Sequence, residues 1–333
     1  MGHCSLSNNQ LYIHSSGEVY TCSFLQNKPE HVLGHIGKES LQEIWNSRAR
    51  LDFLERHNTG NPGHYCQKHQ QDFLCHKISN QRYFNEDGNL KRLDIMLDSA
   101  CNLKCIMCTN IYDRTGGLKS EFFWLKNKEV LSSIQEIELV GGEPLISPYF
   151  PRLVNLVHDL NPQCRWFATT NAHFDLKGEI VSSLLKANFE SLSISIDSLK
   201  KSVFEKIRVR STFEKVYENV FAIKRLISNI QINTVIQLDN FEELIPIYRW
   251  TQEHNLRFYP ILLQYPDTYS LKHLDDRVKK KWILRVMEEN EDLKSKDIFF
   301  FIKKFLVVDS VRTDPEVKMS YLRQLDILGK LYG

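Results

Sequence analysis

Three closely spaced cysteines are the residues of this chain best suited to chemistry. Cys101, Cys105 and Cys108 follow one another with the spacing C-x3-C-x2-C, in a chain of 333 residues that has eight cysteines. Three thiolates can hold three irons of a [4Fe–4S] cluster and leave the fourth iron open to a ligand. The alternatives are buried core cysteines or a structural zinc site, which usually takes four ligands from paired knuckles. The spacing therefore favours the open iron–sulfur site.

Further short motifs could serve a ligand at such a site. They offer a close backbone approach at paired glycines, a carboxylate, hydroxyl groups that suit a sugar, and a guanidinium that can grip a carboxylate. In chain order they are Gly141-Gly142-Glu143-Pro144, Thr170-Asn171, the run Ser193–Asp197 with Ser195 and Asp197 on one face, and Arg208. Alone, each is also explained by a turn, a strand cap or a solvated charge. They indicate a ligand-binding site only in combination.

A second set of possible metal ligands lies upstream of this region. Cys4 and Cys22 flank a predicted hairpin, and Cys66, His69 and Cys75 share a polar loop. So small a segment buries little core by itself, and a metal that staples it is physically reasonable. A closed iron–sulfur cluster, a cluster in which His69 replaces one cysteine, and a zinc site are all open.

From Arg92 onward, strands alternate with helices. Six strands are predicted from apolar or alternating runs. They are Leu93–Asp98, Glu136–Val140, Arg165–Thr170, Ser191–Asp197, Gln231–Gln237 and Arg257–Leu263. The helices predicted between them are Glu121–Ser133, Tyr149–Leu160, Glu179–Ala187, Lys201–Lys206 with Phe213–Ser228, and Phe241–His254. Successive β/α units imply a parallel sheet with right-handed crossovers, and six units are fewer than a closed barrel needs. We therefore expect an α/β fold with a partial, TIM-like (β/α)6 barrel.

Two flanking regions complete the predicted organisation. Near the N-terminus, Ser15-Ser16-Gly17 predicts a hairpin turn, and Ser40 with Glu43 predicts a capping box at the start of a helix. After Tyr269 the sequence becomes helical and charged. We divide the chain into an auxiliary metal-binding segment (1–85), the barrel (86–265) and a helical C-terminal extension (266–333).

Composition limits the classes of function. The net charge is +2, which gives no reason to expect nucleic acid as a partner. No apolar run reaches the ~18 residues that a membrane-spanning helix needs. Eight cysteines without a signal peptide indicate a reducing compartment, so we expect a cytoplasmic protein.

Taken together, the motifs resemble those of the radical S-adenosylmethionine (radical SAM) enzymes. The resemblance rests on the cysteine spacing, the Gly141–Pro144 turn, Thr170-Asn171 and the run Ser193–Asp197, and it covers roughly Arg92–Leu263. The N-terminal segment is similar to the auxiliary-cluster segments called SPASM or twitch. In most relatives that segment follows the barrel, whereas here it precedes it.

The resemblance implies a role for each residue. Cys101, Cys105 and Cys108 would hold a [4Fe–4S] cluster whose open iron chelates S-adenosylmethionine. The residues implied to contact that cofactor are Met107 near adenine, Gly141, Gly142, Glu143 and Pro144 near the methionyl ammonium, Thr170 and Asn171, Ser195 and Asp197 near the ribose, and Arg208 at the carboxylate. The auxiliary cluster, expected to be [4Fe–4S], would be held by Cys4, Cys22, Cys66 and Cys75, with His69 as a possible substitute. The family's Thr-Asn-Gly reads Thr170-Asn171-Ala172 here, which puts the need for a positive φ in doubt.

The implied activity is reductive cleavage of S-adenosylmethionine to a 5′-deoxyadenosyl radical that abstracts hydrogen from a substrate. Auxiliary-cluster relatives often modify peptides, so a peptide or amino-acid-derived substrate is expected, with flavodoxin or ferredoxin as electron donor. Crosslinking, epimerisation and oxidation stay open as outcomes. The alternatives are another small molecule (a sugar, a nucleoside or a cofactor precursor) and, from a different class, a non-catalytic zinc-stapled binding module.

Overall fold

The computed structural model describes residues 5–58, 88–108, 118–308 and 314–332. Within them the strands β1 to β9 are Gln10–Ile13, Glu18–Tyr20, Gly34–His35, Arg92–Met96, Glu136–Val140, Arg165–Thr170, Asn188–Ser195, Ile230–Ile236 and Arg257–Leu262. The α-helices α1 to α13 are Ser5–Asn9, Leu41–Trp45, Arg48–Asn58, Glu121–Lys126, Lys128–Ser133, Tyr149–Leu160, Gly178–Lys186, Lys201–Ile207, Phe213–Leu226, Leu244–Glu253, Asp276–Leu293, Lys296–Val308 and Pro315–Tyr332.

The six predicted barrel strands are confirmed as β4 to β9. They pair in sequence order, each parallel to the next, with helices in the connections. Four predicted strands run too far at their C-terminal ends. The strands predicted to end at Gln237 and Leu263 are one residue too long. Asp98 and Asp197 continue the polar alternation but lie two residues past the last paired residues, Met96 and Ser195. The expected α/β fold with parallel β/α units is confirmed.

The N-terminal hairpin is part of the same sheet. β1 pairs antiparallel with β2, as the turn predicted, but β1 also pairs in parallel with β4, with Gln10 opposite Arg92 and Ile13 opposite Ile95. The described strands therefore form one sheet in the order β3-β2-β1-β4-β5-β6-β7-β8-β9. The predicted division at residues 85 and 86 stays a prediction, although the sheet runs without a break from β1 to β4.

The two faces of the sheet are chemically different. One face carries apolar side chains such as Leu93, Ile95 and Ile137, which are fully buried under the helices in the main core. Because side chains alternate along a strand, Arg92, Asp94 and their counterparts on the other strands point to the opposite face. We call this second face the inner face, by analogy with the interior of a β/α barrel.

Two local predictions about helices have different outcomes. The capping box is confirmed: the Ser40 hydroxyl accepts a hydrogen bond from the Glu43 N–H, and the Glu43 carboxylate accepts one from the Ser40 N–H. The single helix predicted over Glu121–Ser133 is wrong, since α4 ends and α5 begins around Asn127. The buried Asn127 side chain accepts a hydrogen bond from the Leu41 N–H at 2.6 Å, which ties this break to the start of α2.

The C-terminal extension is helical, as predicted, and packs against the last strand of the barrel sheet. The apolar run after Lys296 forms helix α12 and packs against β9. Trp282 of α11 makes edge contacts with the rings of Phe301 and Phe305 of α12. In the part of the chain that the structure describes, no helix has both the length and the apolar character needed to cross a bilayer.

Candidate functional site

The cysteine loop follows β4 at the carboxyl edge of the sheet. It is fixed by two backbone hydrogen bonds to the residues at the end of α8. The Lys104 N–H donates to the Val209 carbonyl and the Ile106 N–H to the Ile207 carbonyl, both at 2.9 Å. The loop is therefore held between the first barrel strand and the chain that follows the fourth.

Each of the first two thiols has a hydrogen-bond donor beside it. The Cys101 sulfur lies 3.5 Å from the Leu103 N–H nitrogen and 3.7 Å from Nδ2 of Asn171. The Cys105 sulfur lies 3.9 Å from a terminal nitrogen of Arg208. A metal-bound thiolate carries negative charge, so it accepts hydrogen bonds from donors of this kind.

The thiols also act on one another. Burial raises the pKa of the Cys101 and Cys105 thiols, and the charges of the neighbouring cysteines, including Cys108, raise it further. Cys108 itself is exposed. Neighbouring thiolates repel each other, so these cysteines can all be deprotonated only beside positive charge. The irons of an iron–sulfur cluster supply that charge.

The arrangement of the possible ligands bears on which metal group fits. Among the described residues, no three His, Cys, Asp or Glu side chains converge as ligands of a single ion would. A [4Fe–4S] cluster binds each thiolate to a different iron, so it does not need the sulfurs to meet at one point. The partly buried thiols and the donors beside them fit such a cluster.

The paired glycines lie directly against the cysteine loop. A Cβ atom on Gly142 would lie 2.1 Å from the carbonyl oxygen of Ala100, so only glycine fits there. Gly141 has φ +108°, a conformation that glycine adopts without strain. The Glu143 N–H donates to the same Ala100 carbonyl at 2.9 Å. The two loops therefore form one packed unit.

The Glu143 carboxylate points into the protein. It accepts hydrogen bonds from the Leu145 N–H at 3.2 Å, the Thr170 hydroxyl at 2.7 Å and the Asn171 N–H at 2.6 Å. Burial raises its pKa to about 7, although these three donors oppose the rise. Glu143 joins the loops after β5 and β6, and its predicted contact with a bound cofactor stays a prediction.

Asn171 links the loop after β6 to the cysteine loop. Its side chain donates to Oδ1 of Asn102 at 2.8 Å as well as approaching the Cys101 sulfur. The next residue, Ala172, is buried and has φ +52° although it is not a glycine. The positive φ that the family's glycine allows is therefore kept here. The buried Asn219 side chain donates to the Ala172 carbonyl at 2.8 Å and holds it there.

Asp197 and Arg208 form a buried ion pair at the same edge of the sheet. Nε of Arg208 lies 2.8 Å from Oδ2 of Asp197, but among the described residues neither atom makes an aligned hydrogen bond. The other carboxylate oxygen accepts a hydrogen bond from the Val235 N–H at 2.8 Å. Asp197 is completely buried, and its ribose contact stays a prediction, as does the contact of Arg208 with a carboxylate.

The remaining predicted cofactor contacts lie at the same edge. Ser195 is the last residue of β7 and is buried on the inner face, and Met107 is half-buried in the cysteine loop. Pro144 begins a short 3-10 helix after the paired glycines. The structure thus brings together, at one edge of the sheet, the residues predicted around the first cluster, while their individual roles stay predictions.

Sequence reasoning missed several polar residues of the inner face. Arg92 forms ion pairs with Asp94, Glu136 and Glu138, and Arg165 also pairs with Glu136. The signal was present in the sequence, because charged residues alternate with apolar ones in β4 and β5. Asn102 was missed as well, since nothing in the sequence indicates that it meets Asn171.

The auxiliary site is only partly described. Cys4, Cys66, His69 and Cys75 lie outside the described residues, so their grouping stays a prediction. Cys22 is half-buried just after β2, beside the cluster of Tyr12, Tyr20 and Met96. The cluster that Cys22 packs against includes Met96, the last residue of β4.

Two curated proteins that are similar to this chain carry the same name. A GTP 3′,8-cyclase of Psychromonas ingrahamii is 27% identical over 225 residues, which cover 64% of this chain and 64% of that protein. A GTP 3′,8-cyclase of a Sulfurovum species is 23% identical and covers 51% of this chain and 55% of that protein. The chain thus spans less than two thirds of the length of either relative.

A solved structure supports the fold. It is described as a histidine-tagged form of anSMEcpe with bound AdoMet, is 20% identical, and has a TM-score of 0.50 over 61% of this chain and 60% of that one. At this identity the similarity concerns the fold alone.

Two family models match the chain, in the order expected from the cysteines. The model of the radical SAM superfamily matches residues 97–251, which include the Cys101 loop and strands β5 to β8. The SPASM model, an iron–sulfur cluster-binding domain, matches residues 4–70. The expected cofactors, a [4Fe–4S] cluster with S-adenosylmethionine and an auxiliary iron–sulfur cluster, are those of these two families. The chain therefore carries a radical SAM domain, preceded by a SPASM iron–sulfur segment.

Proposed function

We propose that Cys101, Cys105 and Cys108 hold the [4Fe–4S] cluster of this enzyme and that Arg208, Asn171 and the Gly141-Gly142 backbone surround it and its S-adenosylmethionine. When bound and reduced, the cluster supplies the electron that cleaves S-adenosylmethionine to methionine and a 5′-deoxyadenosyl radical. The observation that carries the proposal is the placement of Asn171 and Arg208 beside the sulfurs of Cys101 and Cys105.

In this proposal each neighbouring residue has a task that does not depend on the chemistry itself. Gly142 allows the loops after β4 and β5 to pack together, and Glu143 joins the loops after β5 and β6. Asp197 holds the Arg208 guanidinium in place. The role of these residues is to orient the cofactor and to exclude water from it.

The proposed substrate is a peptide or an amino-acid-derived molecule that lies along the inner face. The arginines of β4 and β6 on this face are both neutralised by carboxylates, since Arg92 pairs with Asp94 at 2.8 Å and Arg165 pairs with Glu136. On β7 and β8 the inner face offers neutral groups, with Gln231 donating to Asn233 at 2.8 Å and to Ser193 at 3.3 Å. Neutral amide and hydroxyl groups suit the backbone of a peptide.

A nucleotide is the second candidate, because the relatives described above are named GTP 3′,8-cyclase. A triphosphate needs cations that are available to it. The pairing of Arg92 and Arg165 with carboxylates makes these two arginines less available to a triphosphate. We further propose the cytoplasm as compartment and a flavodoxin or ferredoxin as electron donor.

The test of the cluster assignment begins with anaerobic reconstitution. The wild-type protein, a C101A/C105A/C108A variant and a C164A control are compared for iron, sulfide and 5′-deoxyadenosine formed with dithionite and S-adenosylmethionine. Cys164 is buried in the core, away from the loop, and serves as the matched control. The triple variant should lose about four irons and all deoxyadenosine, and C164A should keep both. Deoxyadenosine formation by the triple variant would refute the assignment.

The substrate is tested by isotope transfer. Deuterated candidate peptides and deuterated GTP are incubated separately with the reconstituted enzyme, and deoxyadenosine is analysed by mass spectrometry. Deuterium from a peptide supports the first candidate, and deuterium from GTP would replace it with the second.

A further inference from the structure

Arg208 is a buried cation beside a sulfur that the proposed cluster uses. Its side chain is 7% exposed, and one of its terminal nitrogens lies 3.9 Å from the sulfur of Cys105. The backbone on both sides of Arg208 is bonded to the cysteine loop, through Ile207 to Ile106 and through Val209 to Lys104. The distance between guanidinium and sulfur is therefore fixed from two directions.

The ion pair with Asp197 keeps this cation in position. Asp197 is completely buried and is itself held by the Val235 N–H. The carboxylate lies against Nε, while a terminal nitrogen of the guanidinium faces Cys105. The pair is thus neutral as a whole but has its positive end toward the sulfur.

A positive charge next to an iron–sulfur cluster favours the form that has gained an electron, and in a buried site water screens this effect little. We propose that Arg208 raises the reduction potential of the cluster held by Cys105, and that Asp197 limits this effect by pairing with it. The inference rests on the proposed cluster assignment, and it gives Arg208 an electrostatic role in addition to any contact with S-adenosylmethionine.

Four variants separate charge from packing. Asp197→Asn keeps the cation and removes its partner, so the potential should rise. Arg208→Lys keeps the charge, so the potential should stay near that of the wild type. The double variant D197N/R208Q has no charge at either position and leaves no lone buried carboxylate, so it should fold, and its potential should fall below that of the wild type. Arg210→Gln removes an exposed charge two residues away and should change nothing.

The measurement is a redox titration of each reconstituted protein, followed by electron paramagnetic resonance, without S-adenosylmethionine. Iron content and unfolding midpoints are recorded for the same samples. The order D197N above wild type above D197N/R208Q, with R210Q equal to wild type, supports the inference. Equal potentials for wild type and the double variant, at equal iron content, would overturn it.

The outcome is separate from that of the proposed activity. A wild-type protein that cleaves S-adenosylmethionine but whose variants all share one potential contradicts only the inference about Arg208. A protein whose Cys101 loop binds no cluster contradicts both. A loaded protein that shows the predicted order of potentials but makes no deoxyadenosine contradicts the activity alone.

Discussion

The side-chain amide of Asn171 lies 3.7 Å from the sulfur of Cys101. These residues are seventy positions apart in the sequence, and their contact joins the loop after β6 to the loop after β4. The same amide donates to Asn102, and Oδ1 of Asn171 accepts a hydrogen bond from the His173 N–H at 2.8 Å. Asn171 therefore contacts Cys101 from a loop that follows a different strand, β6 rather than β4.

Replacing Asn171 with alanine should destabilise the protein. The variant leaves the Asn102 oxygen and the His173 N–H without their partner, which typically costs about 1–3 kcal/mol. The measurement is the free energy of unfolding in urea. Asn155→Ala is the matched control, because Asn155 is exposed and accepts its hydrogen bond from the surface residue Lys186, so it should change stability by about 0.5 kcal/mol or less. Equal losses in the two variants would contradict the prediction.

Gly142→Ala should disrupt the packing of the two loops. The new methyl group would meet the Ala100 backbone at 2.1 Å, and backbone cannot move aside as a flexible side chain can. We expect a loss of about 1–3 kcal/mol or more in stability and a lower iron content after reconstitution. Gly329→Ala provides the comparison, because Gly329 lies in α13 and, apart from its chain neighbours and the nearby backbone of its own helix, no described atom lies within 4 Å of the position that its Cβ would take. That change should stabilise the protein by about 0.5–1 kcal/mol. Normal iron content in Gly142→Ala would refute the proposed constraint.

Glu143 should make stability depend on pH near neutrality. Its pKa is about 7 in the folded protein and 4.5 as the reference value for the unfolded chain. Between these values the folded state binds more protons than the unfolded state, so the stability contributed by Glu143 is complete below pH 4.5, falls as the pH rises and is lost above about 7. The change is on the order of 3 kcal/mol.

This pH dependence is measured as a difference between two proteins. Unfolding free energies of the wild type and of Glu143→Gln are compared from about pH 5 to about pH 8, because the variant cannot titrate at this position and all other groups cancel. The advantage of the wild type over the variant should shrink with rising pH. Parallel profiles would show that Glu143 does not titrate in this range.

Gln237→Met should stabilise the protein. Gln237 is completely buried beyond β8, and within the described part of the chain neither its amide nitrogen nor its amide oxygen has a hydrogen-bond partner. An apolar side chain of similar size removes that unpaired polar group, so a gain of about 1 kcal/mol is expected.

The matched control is another buried glutamine. Gln324 donates to the Met287 carbonyl at 3.0 Å and accepts from Asn290 at 2.8 Å. Gln324→Met should therefore cost about 1–3 kcal/mol. Opposite signs for the two variants, measured as unfolding midpoints in urea, test the argument, and a loss in both would contradict it.

Much of the barrel could be predicted because the signals are local. The apolar alternation of β5 and β6 marked both strands with their observed bounds, and the helix Tyr149–Leu160 was also found as predicted. The break at Asn127 could not be predicted, because it depends on a hydrogen bond to Leu41, which is remote in the sequence. The pairing of β1 with β4 could not be predicted either, because the sequence of a short strand does not indicate which other strand it will pair with.

The sequence by itself determined the chemistry available to this protein. The spacing of Cys101, Cys105 and Cys108 sets how many thiolates one loop can offer, and the Gly141–Pro144 turn identifies a close backbone approach. Both are properties of neighbouring residues, and together with Thr170-Asn171 and Ser193–Asp197 they carry the resemblance to the radical SAM superfamily, whose model matches residues 97–251.

Only the tertiary structure decided what each side chain faces. The sequence predicts that the carboxylates of Glu143 and Asp197 contact a ligand. In the structure Glu143 accepts hydrogen bonds from the loop after β6, and Asp197 pairs with Arg208. Glu143 meets residues from the loop after another strand, Asp197 meets the residue that follows helix α8, and burial makes a hydrogen-bonded or paired carboxylate the favourable arrangement. Which group satisfies a buried charge depends on contacts between distant parts of the chain, and these exist only once the sheet has formed.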